Sequence, residues 1–159
     1  MADKLKTNAM RILDKEKIAY KTHSYNHDDG LIDGISIADK MKLPYEKVFK
    51  TLVTIGHSKN YFVFVIPVNK ELNLKAAAKS VGEKSVEMIA VKDINKVTGY
   101  IRGGCSPIGM KKQFSTVIDS SCTNQETIIF SAGKIGHQIE MKPLELLTLI
   151  NGKTDDIIF

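Results

Sequence analysis

The sequence contains no tryptophan, only two cysteines and four prolines, and no long apolar run; each scarcity closes off a class of protein. The longest apolar stretch, residues 61–68, is far short of the roughly 20 residues that a membrane-spanning helix needs. The opening MADKLKTN lacks the apolar core of a secretory leader. A soluble, cytoplasmic protein is therefore expected, with no membrane partner. Cys105 and Cys122 stand in unrelated surroundings with no CxxC or Cys/His ligand spacing, which argues against a disulfide framework and against structural zinc and leaves two free thiols. The prolines and the eleven glycines form no low-complexity run, so disordered and fibrous classes are disfavoured.

What is present fits one domain. A chain of 159 residues, 43% of them hydrophobic, can bury about two-thirds of its unfolded surface in a single core, so residues 1–159 are expected to form one unit. The net charge is +5, from 23 Lys and Arg against 18 Asp and Glu. That excess is compatible with nucleic-acid binding, although a lysine-rich surface kept for solubility is the preferred reading of charge alone. Lys70, Lys75 and Lys79 fall at helix-face spacing, but no long basic stripe is written into the chain.

Local signals outline the elements. Thr7 is the N-cap expected for a first helix ending near Lys17, followed by a strand over residues 18–25 and a polar turn over 26–30. Ser36 to Asp39 reads as a helix start, with Pro44 limiting that helix to about two turns. Residues 48–56 and 60–68, rich in branched and aromatic side chains, predict a hairpin of central strands. LKAAAK predicts a helix over 73–80 with Gly82 as its cap, and further helical signals span 91–99. Residues 103–109 are too dense in turn formers to be anything but a shaped loop. Strands follow at 115–119, 126–131 and 137–141, and Pro143 opens a last helix closed by Asn151 and Gly152. Hairpins mixed with helices, without strict alternation, imply an α+β fold: a mixed, largely antiparallel sheet with flanking helices.

No GxSxG, GxxxxGK[ST], GxGxxG, HExxH or zinc-deaminase pattern occurs, which disfavours a conventional hydrolase, kinase or dehydrogenase. Three local choices remain that packing does not demand. Lys50 interrupts the apolar strand VFKTLV; it either snorkels to solvent or holds an anion in a cleft, and taken alone snorkelling is preferred. Gly103 to Pro107 forms a loop whose glycines let backbone approach a ligand, although a tight turn is the commoner explanation. Ser131-Ala132-Gly133 ends a strand with small residues that either present a hydroxyl and amides to a ligand or simply enter a turn. His23, Tyr25 and His27 alternate, but without a third strong ligand nearby a polar strand end is a better account than a metal site.

Taken in order, these stretches make the chain resemble the YbaK/EbsC family of aminoacyl-tRNA deacylases, editing domains related to the insertion domain of bacterial prolyl-tRNA synthetase. The resemblance is carried by KTNAMRIL, HSYNHD, VFKTLV, VIPVNKELNLKAAAKSVG, TGYIRGGCSPIG and SAGKIGHQIE, nearly end to end. It implies a trans-editing enzyme that removes cysteine mischarged on proline tRNA. It assigns Lys50, Gly103 and Ser131 to the catalytic set and Tyr25, Phe49, Thr51, Gly104, Cys105, Ser106, Pro107, Gly133 and Gln138 to substrate binding, with no metal and no cofactor. The partners implied are the acceptor end of tRNA(Pro) and prolyl-tRNA synthetase, and not DNA. Gln138 stands where the family frequently has aspartate, which weakens any acid/base role there.

An aminoacyl ester is already activated, so positioning it and stabilising charge on its carbonyl oxygen suffices, and the substrate's own thiol can attack. Cys105 is then expected to be a small apolar filler and not a nucleophile. Two other readings remain: a non-catalytic module that binds aminoacyl-adenosine or tethers to the synthetase, which Gln138 favours, and an editor of alanyl-tRNA(Pro). The sister editors of that last kind tend to read VKN where this chain reads VFK at residues 48–50.

Overall fold

A computed structural model describes residues 5–159; the first four residues of the MADKLKTN stretch lie outside it. Helix α1 (Asn8–Lys15) is capped as expected, the Thr7 hydroxyl accepting from the Met10 N–H at 3.2 Å. Its C-terminus is a Schellman motif: Lys17 takes φ 57°, and the Ile18 N–H returns to the Leu13 carbonyl at 3.0 Å. This motif turns Ile18 inward against the core, so the strand expected over 18–25 shortens to β1 (Lys21–Ser24).

Helix α2 (Gly34–Met41) starts earlier than Ser36. Asp33 is the N-cap, its carboxylate accepting from the Ser36 N–H at 3.1 Å and the Ser36 hydroxyl at 2.6 Å. Gly34 makes that start possible, since a Cβ there would lie 2.5 Å from Cγ1 of Val68. The helix stops at Lys42, which has φ 58°, before Pro44 can act. The expected hairpin is β2 (Phe49–Gly56) and β3 (Tyr61–Pro67), in register from Phe49 opposite Pro67 to Ile55 opposite Tyr61.

Next come α3 (Leu74–Ser80), β4 (Val86–Met88) and α4 (Ile94–Thr98), and then β5 (Ser115–Asp119), β6 (Ile128–Ser131) and β7 (His137–Met141). Helix α5 (Pro143–Ile150) and β8 (Lys153–Asp155) finish the order. Strands β4 and β8 escape sequence reading because each is three residues long and mostly exposed, too short for period-2 patterning. Strand β6 begins two residues later than expected.

The α+β class holds, and the strands divide between two sheets. A three-stranded antiparallel sheet has the order β1-β7-β6, and a five-stranded mixed sheet the order β4-β2-β3-β5-β8, with β3/β5 and β5/β8 parallel. Strand β3 is buried on both faces: Val63 and Val65 face the other sheet with α1 and α5, while Phe62, Phe64 and Ile66 pack under Ala77 and Ala78 of α3. Among the described residues no helix is long and apolar enough to cross a membrane.

Besides packing face to face, the sheets are linked along their edges by a parallel bridge, Val48 to Ile129. Beyond it β2 loses a neighbour on that side until β4 begins opposite Thr54. The gap between those two pairings is where the molecule opens.

Phe130 lies in the core between the sheets with no solvent exposure. Phe130→Ala should cost about 3–5 kcal/mol, seen as a lower urea midpoint at unchanged slope. A midpoint within error of the parent would contradict this description of the core.

Candidate active site

A cleft of about 610 Å³ occupies the gap. Its floor is Val48 and the start of β2 as far as Leu52; one wall is the loop over residues 30–34 with the start of α2; the other is the turn around Gly103 and Cys105; Ser131 and Gln138 close the end. Because β2 is uncovered along this edge, both of its faces contribute, Lys50 and Leu52 from one and Phe49 and Thr51 from the other. Ser131 and Gln138 sit directly opposite each other on β6 and β7. Of the residues singled out from sequence, Phe49, Lys50, Thr51, Gly103, Cys105, Ser131 and Gln138 converge on this space.

Tyr25, Gly104, Ser106, Pro107 and Gly133 do not line it. Tyr25 is buried behind the loop over 26–31, its hydroxyl without a hydrogen-bond partner. Gly104, Ser106 and Pro107 lie beneath the cleft wall, where the Ser106 hydroxyl accepts from the Ile108 N–H at 3.2 Å. Gly133 packs against Tyr100, whose hydroxyl donates to the Ile108 carbonyl. These residues shape the wall from behind.

Gly103 brings the two walls together. It has φ +86°, and a Cβ on it would lie 2.6 Å from Cδ1 of Ile32 on the facing wall. The facing wall is itself held from α2. The Lys40 ammonium donates to Asp29 Oδ1 at 2.7 Å, the Asn26 carbonyl at 2.8 Å and the Leu31 carbonyl at 2.9 Å, and lies 5.9 Å from the Tyr25 ring centroid. Sequence reading identified the turn at 26–30 but not Lys40, nor Leu31, Ile32, Asp33 and Arg102 in the lining. Only the Asp-Gly dipeptide at 33–34 and the arginine beside Gly103 carried any local signal.

The electrostatics are lopsided. The charged lining residues are Lys50, Arg102 and Asp33, and no histidine is among them. Hydrogen bonds from the Ser36 hydroxyl and N–H hold the Asp33 carboxyl below the usual carboxylate range, so it is committed to capping α2. The Lys50 side chain has no hydrogen-bond or ion-pair partner among the described residues. Thr51 Oγ1 is buried and unpartnered, and Gln138 is 3% exposed with no side-chain hydrogen bond to a described residue. Buried polar groups are normally satisfied, so polar atoms left open at a cleft are groups a ligand would pair. The Ser131 hydroxyl accepts from the Gly133 N–H at 3.1 Å and keeps its own proton to donate. His23 is spent elsewhere, Nε2 lying 2.7 Å from Glu140 Oε1, and among the described residues no group of three His, Cys, Asp or Glu could hold a metal.

Burial pushes the Cys105 thiol up to about 11, only partly countered by a hydrogen bond involving Thr98. At neutral pH that leaves the thiol almost wholly protonated. Iodoacetamide should therefore label Cys105 far more slowly at pH 7.5 than it labels a free thiol, and faster with every unit of pH above it, as read by intact mass. Rapid labelling at neutral pH would show an activated thiol.

Comparison with known proteins identifies the family. The sequence profile of the aminoacyl-tRNA editing domain matches residues 35–149. EbsC of Enterococcus faecalis, provisionally named a Cys-tRNA(Pro)/Cys-tRNA(Cys) deacylase, is 46% identical over 152 residues, covering 96% of this chain and 93% of that protein. A proline–tRNA ligase of Fervidobacterium nodosum is 31% identical over 75 residues, 47% of this chain and 13% of that enzyme. Two solved structures share the fold: hypothetical protein APE2540, with a TM-score of 0.85 at 17% identity over 94% of this chain and 97% of its own, and a provisional trans-editing enzyme for prolyl tRNA synthetase, with 0.81 at 18% over 98% and 99%. With a profile that covers most of the chain, and a relative matched almost end to end, the chain belongs to the aminoacyl-tRNA editing domain family.

Proposed function

We propose that this protein is a trans-editing deacylase that cleaves the ester of cysteine mischarged on tRNA(Pro), acting in the cytoplasm beside prolyl-tRNA synthetase, with residues 1–159 as one editing unit. The observation that carries the reading is a cleft with an unpaired ammonium and open polar groups but no general base: its lining has no histidine, and its one carboxylate caps a helix. The relative named for this activity and the stretch shared with a proline–tRNA ligase support the substrate and the partner.

Such a site suits a substrate that brings its own nucleophile. The cysteine sulfur attacks the ester carbonyl, the bond to the ribose oxygen breaks, that oxygen takes the thiol proton, and a four-membered thiolactone leaves. Lys50 stabilises the charge that grows on the carbonyl oxygen, with the backbone at Gly103 and the Ser131 hydroxyl as further donors. Thr51 and Gln138 hold the amino acid's polar atoms, and Phe49 bounds the pocket on its apolar side. Being neutral, Gln138 orients and transfers no proton.

Two measurements test this. Lys50→Ala should lower deacylation of cysteinyl-tRNA(Pro) by about 10² or more while the protein stays folded; a parent-like rate would remove Lys50 from the mechanism. Seryl-tRNA, with a far weaker internal nucleophile, should react much more slowly than cysteinyl-tRNA, and a thiolactone should be trapped as the first product. Free cysteine carrying solvent oxygen at the earliest times would instead mean attack by water. Running cysteinyl-tRNA(Cys) beside cysteinyl-tRNA(Pro) reads the tRNA selectivity.

A further inference from the structure

The mouth of the cleft carries a group that the ester chemistry does not use. Residues 101–104 form a tight turn closed by the Gly104 N–H on the Ile101 carbonyl at 3.0 Å, with Gly103 at its third position and φ +86°. That leaves Arg102 at the corner of the turn, where it is exposed, lines the cleft, and has no hydrogen-bond or ion-pair partner among the described residues. Two large apolar side chains are exposed on the same two segments, Ile101 at 56% in the same turn and Leu31 at 52% on the facing wall. The turn is anchored there, because Gly103 abuts Ile32, the residue after Leu31. The one carboxylate of the lining, Asp33, makes no ion pair with Arg102 and accepts instead from Ser36.

A cationic fork on a turn, with exposed apolar side chains in that turn and on the facing wall, matches the chemistry of a nucleotide: a phosphate for the guanidinium and a base for the apolar side chains. We propose that Arg102 binds the phosphodiester on the 5′ side of the terminal adenosine, with Leu31 and Ile101 against the preceding base, so that the turn sets where the RNA leaves the cleft. This rests on the reading of the cleft as an aminoacyl-ester site. A cleft of about 610 Å³ is the size that takes a small ligand such as an esterified nucleoside, so a terminal adenosine that fills it would leave its 5′ phosphate toward the mouth. Arg102 is a binding residue that touches the RNA and not the reacting carbonyl.

The test is binding, which does not depend on turnover. Calorimetry compares the uncharged trinucleotide CCA with adenosine on the parent protein, Arg102→Ala and Arg102→Lys. The parent should prefer CCA, with affinity that falls as salt rises. Arg102→Ala should lose about tenfold on CCA with a shallower salt slope and keep its affinity for adenosine, and Arg102→Lys should recover part of the loss. In parallel, Arg102→Ala should raise KM for cysteinyl-tRNA and leave kcat unchanged. Equal affinity of parent and Arg102→Ala for CCA, no preference of the parent for CCA over adenosine, or equal losses on both ligands would each overturn the assignment. If the parent binds CCA through Arg102 but leaves cysteinyl-tRNA intact, the deacylase reading fails and the phosphate site stands.

Discussion

The structure depends on where its two sheets stop holding each other. Strand β2 runs alongside β3 throughout its length, but on its other edge it meets β6 only at the Val48 to Ile129 bridge and β4 only from Thr54 onward. Between those pairings a stretch of strand has its edge open, and an open edge offers unpaired backbone groups together with side chains of both faces. The core beneath forbids the gap from collapsing. Phe49 and Val65 are buried against the second sheet, and Phe64 and Ile66 are buried under α3, so β2 and β3 are clamped from both sides.

The bridge has its own support. Lys47, immediately before Val48, lies 3.6 Å from Glu140 on β7, whose carboxylate also accepts from Thr127 and pairs with His23. Burial alone would raise the Glu140 carboxyl, but the hydrogen bonds with Thr127 and His23 and the nearby Lys47 charge together hold it below the usual carboxylate range. The HSYNHD stretch therefore serves the cleft from outside: His23 joins this network, and the loop after Tyr25 is fastened by Lys40. Both polar clusters fix backbone that carries cleft residues, which is how a site is kept rigid without spending its own side chains on structure.

The cleft's chemistry follows from what those supports leave free. Its carboxylate is committed to a helix cap and its thiol is kept protonated by burial, so two of the groups that usually drive hydrolysis are disabled by ordinary structural physics. The groups left open are an ammonium, a guanidinium, hydroxyls, an amide and glycine-loosened backbone. Such groups orient a reactive ester and receive negative charge; they do not generate a strong nucleophile.

The sequence by itself determined whatever depends on near neighbours. The Thr7 cap, the hairpin of β2 and β3, the LKAAAK helix, the Pro143 start, the α+β class and the oddity of Lys50 all follow from period, capping and turn chemistry within a few residues. The family was legible because its motifs keep their order along the chain. Tertiary structure decided the rest. Ser36 and Asp33 are both competent caps, and the fit of Gly34 against Val68 selects Asp33. Ile18 leaves the first strand because a left-handed Lys17 turns it into the core. Tyr25 and Gly133 sit in conspicuous motifs yet stay out of the cleft, while Leu31, Ile32, Asp33 and Arg102, in unremarkable contexts, enter it. A motif records which residues adjoin along the chain. Which of them share a cavity is settled by the divergence of two sheets, through pairings between positions as distant as Val48 and Ile129.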